Sequence, residues 1–236
     1  MKLLLLMLAA VLVPLSTTQA QKVGADSDTV RQILFANQSI KEQAKHVTLD
    51  GTDSPFQRIV DASKFLDEGK KTEAVAKLRS ILQMQPLQTR AELWTWSDLR
   101  ELGEKPHDKA VMETLGVILE IPVKGAYDTL AAYADGSACY LNYSGAALFW
   151  ETPDATIKNL CRDFIASADA LSVRGKPRLD DSLPRVGAQA TLLTRSGNFV
   201  ITQPSPAVIN AGAKLMNELI HRATKKKEPA PAGGAH

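Results

Sequence analysis

Reactive side chains are scarce in this chain. Among 236 residues there are two cysteines and four histidines, and aromatic residues make up only 6%. Two cysteines cannot staple a disulfide-dependent scaffold, so stability must come from buried apolar surface. His46, His107, His221 and His236 are scattered, with no H-x-x-x-H or Cys/His spacing of the kind that binds zinc. A nucleophile elbow, a P-loop and a dinucleotide fingerprint are all missing. Asp180-Asp181 lies in a polar stretch and reads as solvated. Charge of one sign is lacking too: the formal net charge is +2, of which Lys2 supplies one. A nucleic-acid binder needs a strongly basic face, so that class is excluded. These absences point away from an enzyme and from any cofactor or metal, and no catalytic residue is assigned.

The ends carry clearer information. Lys2 is followed by an unbroken apolar run from Leu3 to Val13, and Pro14 ends it. The run is shorter than the roughly 20 residues of a membrane span. With Thr18-Gln19-Ala20 as a small-residue cleavage site, residues 1–20 read as a secretory signal peptide cut between Ala20 and Gln21. The expected location is therefore periplasmic or secreted, with no stable membrane insertion after cleavage. At the other end, residues 224–236 are basic and then rich in Pro, Gly and Ala, and read as a disordered tail.

Between the ends the texture changes once. Residues 21–112 read as a helical module. SDTVRQILFANQSIKEQ (27–43) predicts a first helix. Ser54-Pro55 with Gln57 predicts an N-cap, an N1 proline and a capping box. Thr72 reads as the cap of the next helix, and Thr89 with Glu92 as a second capping box; Gly69 and Gly103 read as helix stops. Residues 54–86 resemble one tetratricopeptide unit, through Ala62, Phe65, Ala74, Leu78 and Pro86. Arg58 and Asp61 stand where that repeat has its tryptophan and leucine, and a generic helical hairpin explains the pattern equally well.

Residues 113–223 read as an antiparallel α+β domain. GVILEIPV (116–123), Tyr127 to Ala134, Ser137 to Tyr143 and Ala146 to Glu151 predict a meander. Thr152-Pro153 predicts a helix start, residues 174–187 a long polar loop, and residues 188–203 a hairpin. Ser205-Pro206 opens the last helix, which has the cleanest amphipathic stripe in the chain. The fold class is α+β: N-terminal helices, then an antiparallel sheet packed against two helices. The element order is similar to that of the profilin or roadblock type, which implies nothing about function.

One stretch, AAYADGSACYLNYSG (131–145), concentrates the polar and aromatic side chains. Asp135-Gly136 reads as a two-residue hairpin turn. That register would place Leu130, Ala132, Cys139 and Leu141 on one face. Tyr133, Tyr140 and Asn142 would share the other, a face either covered by the N-terminal helices with Trp94 and Trp96 or left exposed as a binding surface. Cys139 would point toward the helix that carries Cys161, giving either a sheet-to-helix disulfide or two buried free thiols.

LRELG (99–103), LAAYADGSACYLNYSG (130–145) and Trp150-Glu151 together resemble a family of bacterial proteins of uncharacterised activity. The resemblance runs from about Trp94 to the last helix and implies no activity and no site residue. The sequence as a whole is expected to encode an exported, non-enzymatic interaction or scaffolding protein of the bacterial envelope with an unidentified protein partner. A small-molecule or lipid-binding sensor-type domain is the alternative.

Overall fold

The computed structural model describes residues 19–21, 27–36, 38–46, 53–107, 109–169, 175–178, 183–184 and 187–225. The apolar run of the expected leader and the tail beyond residue 225 lie outside these residues, as does Asp180-Asp181.

The described residues open with a short strand, β1 (Gln19–Gln21), followed by helices α1 (Ser27–Phe35), α2 (Ile40–His46), α3 (Pro55–Asp67), α4 (Lys71–Ile81) and α5 (Thr89–Glu101). The stretch 27–43, expected as one helix, is broken because Ala36 adopts φ 53°. Ser54 caps α3 as its sequence predicts, accepting a hydrogen bond from the Gln57 amide at 3.2 Å. Gly69 and Gly103 stop α3 and α5 with φ of 73° and 86°, which suits residues without a Cβ. The expected caps at Thr72 and Thr89 are not made; α4 and α5 start without a side-chain cap. Within the α3–α4 hairpin, Ala62, Ala74 and Leu78 are fully buried, as close approach of two antiparallel helices requires.

The sheet follows: β2 (Gly116–Val123), β3 (Ala126–Tyr133), β4 (Ala138–Leu141) and β5 (Ala147–Trp150), then helix α6 (Ala155–Asp169). The predicted start of α6 at Thr152-Pro153 falls two residues later, because Asp154 supplies the cap and accepts from the Thr156 and Ile157 amides. β6 (Lys176–Pro177), β7 (Gln189–Thr194) and β8 (Gly197–Thr202) precede the last helix, α7 (Pro206–Lys225). The sheet order is β1-β5-β4-β3-β2-β7-β8-β6, every pair antiparallel. The polar loop expected at 174–187 thus contributes a strand to the sheet.

Alternation of side chains divides the core in two. Ile118, Ala131, Tyr133, Cys139 and Leu193 face the N-terminal helices and pack with Ile33, Leu34, Phe35, Ile59, Trp94 and Leu99. Val117, Leu119, Leu130, Ala132, Tyr140 and Leu192 face α6 and α7 and pack with Ile157, Phe164, Val208, Leu215 and Leu219. The fold is α+β, with the N-terminal helices closing one face of the antiparallel sheet and α6 and α7 closing the other. Gly212 lies where α7 comes closest to the sheet: a Cβ there would stand 2.8 Å from Leu119.

Candidate functional site

The β3–β4 hairpin corrects the sequence reading first. Its loop holds three residues rather than two: the Tyr133 amide donates to the Ser137 carbonyl and the Gly136 amide to the Tyr133 carbonyl. Asp135 fixes this loop from inside, its Oδ1 accepting from the Ser137 amide and hydroxyl at 2.9 and 2.7 Å. The extra residue shifts β4 by one, so Ala131 faces Cys139 and Leu130 faces Tyr140. A one-residue slip turns every β4 side chain to the opposite face.

The consequences fall on each residue singled out. Tyr133 and Tyr140 lie on opposite faces of the sheet and are both buried, 1% and 8% exposed, so the two do not form an exposed face. Of the two outcomes open to Tyr133, cover by the N-terminal helices is the one found. Asn142 serves the β4–β5 turn: its Oδ1 accepts from the Ser144 amide, the Ser144 hydroxyl and the Ala146 amide. Cys139 packs with the N-terminal helices and Cys161 with the α6/α7 core; both thiols are free and buried, with the sheet between them. Of the two outcomes open to the cysteines, a disulfide or two buried free thiols, the free thiols are the one found. Burial pushes the Cys139 thiol well above its usual range and the Cys161 thiol up to about 12, so neither is a reactive thiolate. Burial does the same to the Tyr133 phenol, and burial together with the neighbouring Asp128 carboxylate raises Tyr140 to about 12.

The buried polar side chains hold the helical layer to the sheet. A helix leaves its last carbonyls without partners, and α1 has three consecutive ones answered from three different elements. Trp94 Nε1 donates to Ile33 O at 3.2 Å, Tyr133 Oη to Leu34 O at 3.0 Å, and Asn198 Nδ2 to Phe35 O at 2.8 Å. Beside this clasp the Arg31 guanidinium meets Glu120 at 2.5 Å, and Arg178 approaches the other oxygen of that carboxylate at 3.6 Å. Both guanidiniums also lie over the Phe35 ring, at 4.9 and 4.1 Å from its centroid. Glu120 is fully buried, a position a carboxylate holds only when paired.

A second set of ties sits at the hairpin. The Thr89 amide donates to Asp135 Oδ2 at 2.9 Å, and the Asp135 amide donates to Thr89 Oγ1 at 3.1 Å. Thr89 is thus spent on another element, which is why it does not cap its own helix. Arg90 pairs with Glu151 at 2.5 Å and lies over the Tyr133 ring at 5.6 Å. Burial opposes the Arg90 charge, and Glu151 together with the neighbouring Tyr133 and Cys139 more than offsets it. The sequence reading missed these ties. Glu120 was the visible signal, a lone charge inside the apolar strand GVILEIPV.

With both faces covered, the sheet offers its edges. On one edge, β5 is paired, among the described residues, with β1 alone on its outer side, in the register Gln19↔Phe149, Ala20↔Leu148, Gln21↔Ala147. The Asn142 amide bonds the Ala146 carbonyl at the base of the β4–β5 turn. Antiparallel pairs alternate, so Leu148 and Trp150 address β4 while the main chains of Ala147 and Phe149 face outward. The expected cleavage point, Ala20-Gln21, falls inside the three residues that meet them. Tyr143, 43% exposed, stands in the turn leading into β5, with Lys124 Nζ 5.5 Å from its ring centroid.

Among the described residues no three His, Cys, Asp or Glu side chains gather in a metal-binding arrangement, and no helix is long and apolar enough to cross a membrane. Comparison with family models, curated proteins and solved structures gave no match.

Proposed function

We propose that the chain is an exported, non-enzymatic interaction protein of the bacterial cell envelope, and that it takes up an extended segment of a partner protein along the outer edge of β5. The observation that carries the reading is the position of β1: the short strand on that edge spans the expected signal cleavage point. Cleavage after Ala20 deletes two of its three residues. The outward amide and carbonyl of Phe149 then lose their partner Gln19, and those of Ala147 face only Gln21, a lone residue at the new N-terminus that cannot hold a strand by itself. Main-chain hydrogen bonds of this kind recognise an extended peptide with little dependence on its sequence. Ala147 and Trp150 are buried and Phe149 partly so, so affinity would come from the ladder, with exposed Tyr143 supplying a side-chain contact at its end. The use of buried charge supports a non-catalytic role, since Arg31, Arg90, Glu120 and Arg178 all sit in ties between layers.

The test is a pull-down from an envelope extract with the mature chain starting at Gln21, beside an Ala147→Pro variant. Proline removes an outward donor and leaves the β4 ladder intact. A partner held by the mature chain and released by Ala147→Pro, with circular dichroism unchanged, supports the reading. Equal capture by both proteins contradicts it.

A further inference from the structure

Where α2 meets α5, a carboxyl and a carboxamide are buried together with too few protons between them. Gln43 and Asp98 are each 1% exposed. The Gln43 Nε2 spends both of its hydrogens, donating to the Gln38 carbonyl at 2.8 Å and to Asp98 Oδ1 at 3.0 Å. That leaves Gln43 Oε1 and Asp98 Oδ2, both buried, without a hydrogen-bond partner among the described residues. Each orphan sits on the same small planar group as an atom of the bond already made. Two buried acceptors in an apolar setting cost free energy unless a donor reaches them. A carboxylic acid is such a donor: when protonated it has an O–H to give and keeps acceptor capacity on its other oxygen.

We infer that Asp98 binds a proton in the folded protein and pairs with the Gln43 carboxamide as an acid–amide couple, a pH-sensitive latch between α2 and α5. One proton on Oδ2 serves both orphans, with Nε2–H donating to Oδ1 and Oδ2–H donating to Oε1. The surroundings agree. Burial first, then the Glu101 carboxylate on the same helix, hold the Asp98 carboxyl well above the usual range, against the Gln43 hydrogen bond and Arg100. Several cationic side chains of the N-terminal helices have carboxylate partners of their own. Lys41 of α2 reaches Asp67, Arg58 of α3 reaches Asp53, Arg79 of α4 pairs with Glu104, and Arg31 of α1 is held by Glu120. Arg100 itself donates to the Arg195 carbonyl at 2.6 Å.

The sign of the pH dependence follows. A carboxyl whose pKa is raised on folding contributes stability while it is protonated, and that contribution is lost as pH rises through the folded-state value. The latch therefore weakens toward alkaline pH. Asp98→Asn makes the discriminating variant, because its amide can donate to Gln43 Oε1 at every pH and carries no charge. The experiment is thermal unfolding of the full chain and Asp98→Asn from pH 5 to pH 9, with infrared spectra of the wild type at neutral pH. The expected result is a carboxylic-acid C=O band at neutral pH. The wild-type Tm should also fall relative to Asp98→Asn by about 4 °C or more across the range, a shift that a one- to two-kcal/mol contribution gives a domain of this size. If Asp98→Asn does not fold, the band in the wild type and its loss at high pH decide the matter. A wild type with only carboxylate bands overturns the inference. So does a wild-type Tm raised at neutral pH by Na⁺, K⁺, Mg²⁺ or Ca²⁺ but unaffected in Asp98→Asn, since the orphans would then be cation ligands.

Discussion

The two faces of the sheet are closed by different physics. The α6/α7 face is apolar through its centre, where Leu119, Leu130, Leu192, Phe164, Leu215 and Leu219 meet. Its polar contacts lie toward the margin, with Thr114 donating to Asp169 and Arg222 bonded to Asp154 and Glu218. The opposite face buries large side chains too but is threaded with directed bonds: the three-donor clasp on α1, the Arg31–Glu120–Arg178 cluster, and the Thr89–Asp135 exchange. Apolar burial is strong and tolerant of small shifts. Buried hydrogen bonds add little net energy each but cost much when broken, so they select a single arrangement. The N-terminal helices are therefore held in one defined seat on the sheet.

That contrast can be broken from either side. Phe164→Ala should have the largest effect, about 3–5 kcal/mol of lost stability in chemical denaturation, because a fully buried ring leaves a cavity. Its effect should be spread over the whole transition, with no selective loosening of α1. Glu120→Gln keeps the shape and removes the charge that Arg31 and Arg178 face. A loss of about 1.5–3 kcal/mol is expected, and hydrogen exchange should show the α1 amides opening before those of α6 and α7. Tyr133→Phe removes one hydroxyl and leaves the Leu34 carbonyl without its donor. About 1 kcal/mol is the expected cost. If Tyr133→Phe costs nothing while Phe164→Ala costs its full amount, the clasp is incidental and the two faces are alike.

The sequence carried the elements whose signals are local. Ser54-Pro55 is one, since a cap needs only its own helix. The amphipathic stripe of α7 is another, with Val208, Leu215 and Leu219 all buried as its period demands. Legibility failed where a distant element decided the outcome. Thr89 carries every local mark of a cap, yet Asp135, 46 positions away, takes its hydroxyl. Asp135-Gly136 reads as a tight turn, yet the Asp135 side chain bonds to Ser137 and stabilises a loop one residue longer. That residue moved Cys139 and Tyr140 to unexpected faces and removed both the tyrosine surface and the disulfide at once. Arg178, in a stretch that reads as solvated loop, is buried against Glu120 and Phe35. Gln43 and Asp98 lie on separate helices 55 residues apart, and no spacing rule joins them.

The functional reading rests on an open edge at β5. The most direct test is residue-resolved hydrogen exchange on the mature chain starting at Gln21, read at four consecutive amides. Leu148 and Trp150, bonded to β4, should exchange slowly, while Ala147 and Phe149, facing outward, should exchange fast and regain protection in the uncleaved chain. Slow exchange at all four amides in the mature chain would mean that its own residues still cover the edge, and the docking strand proposed here would be closed.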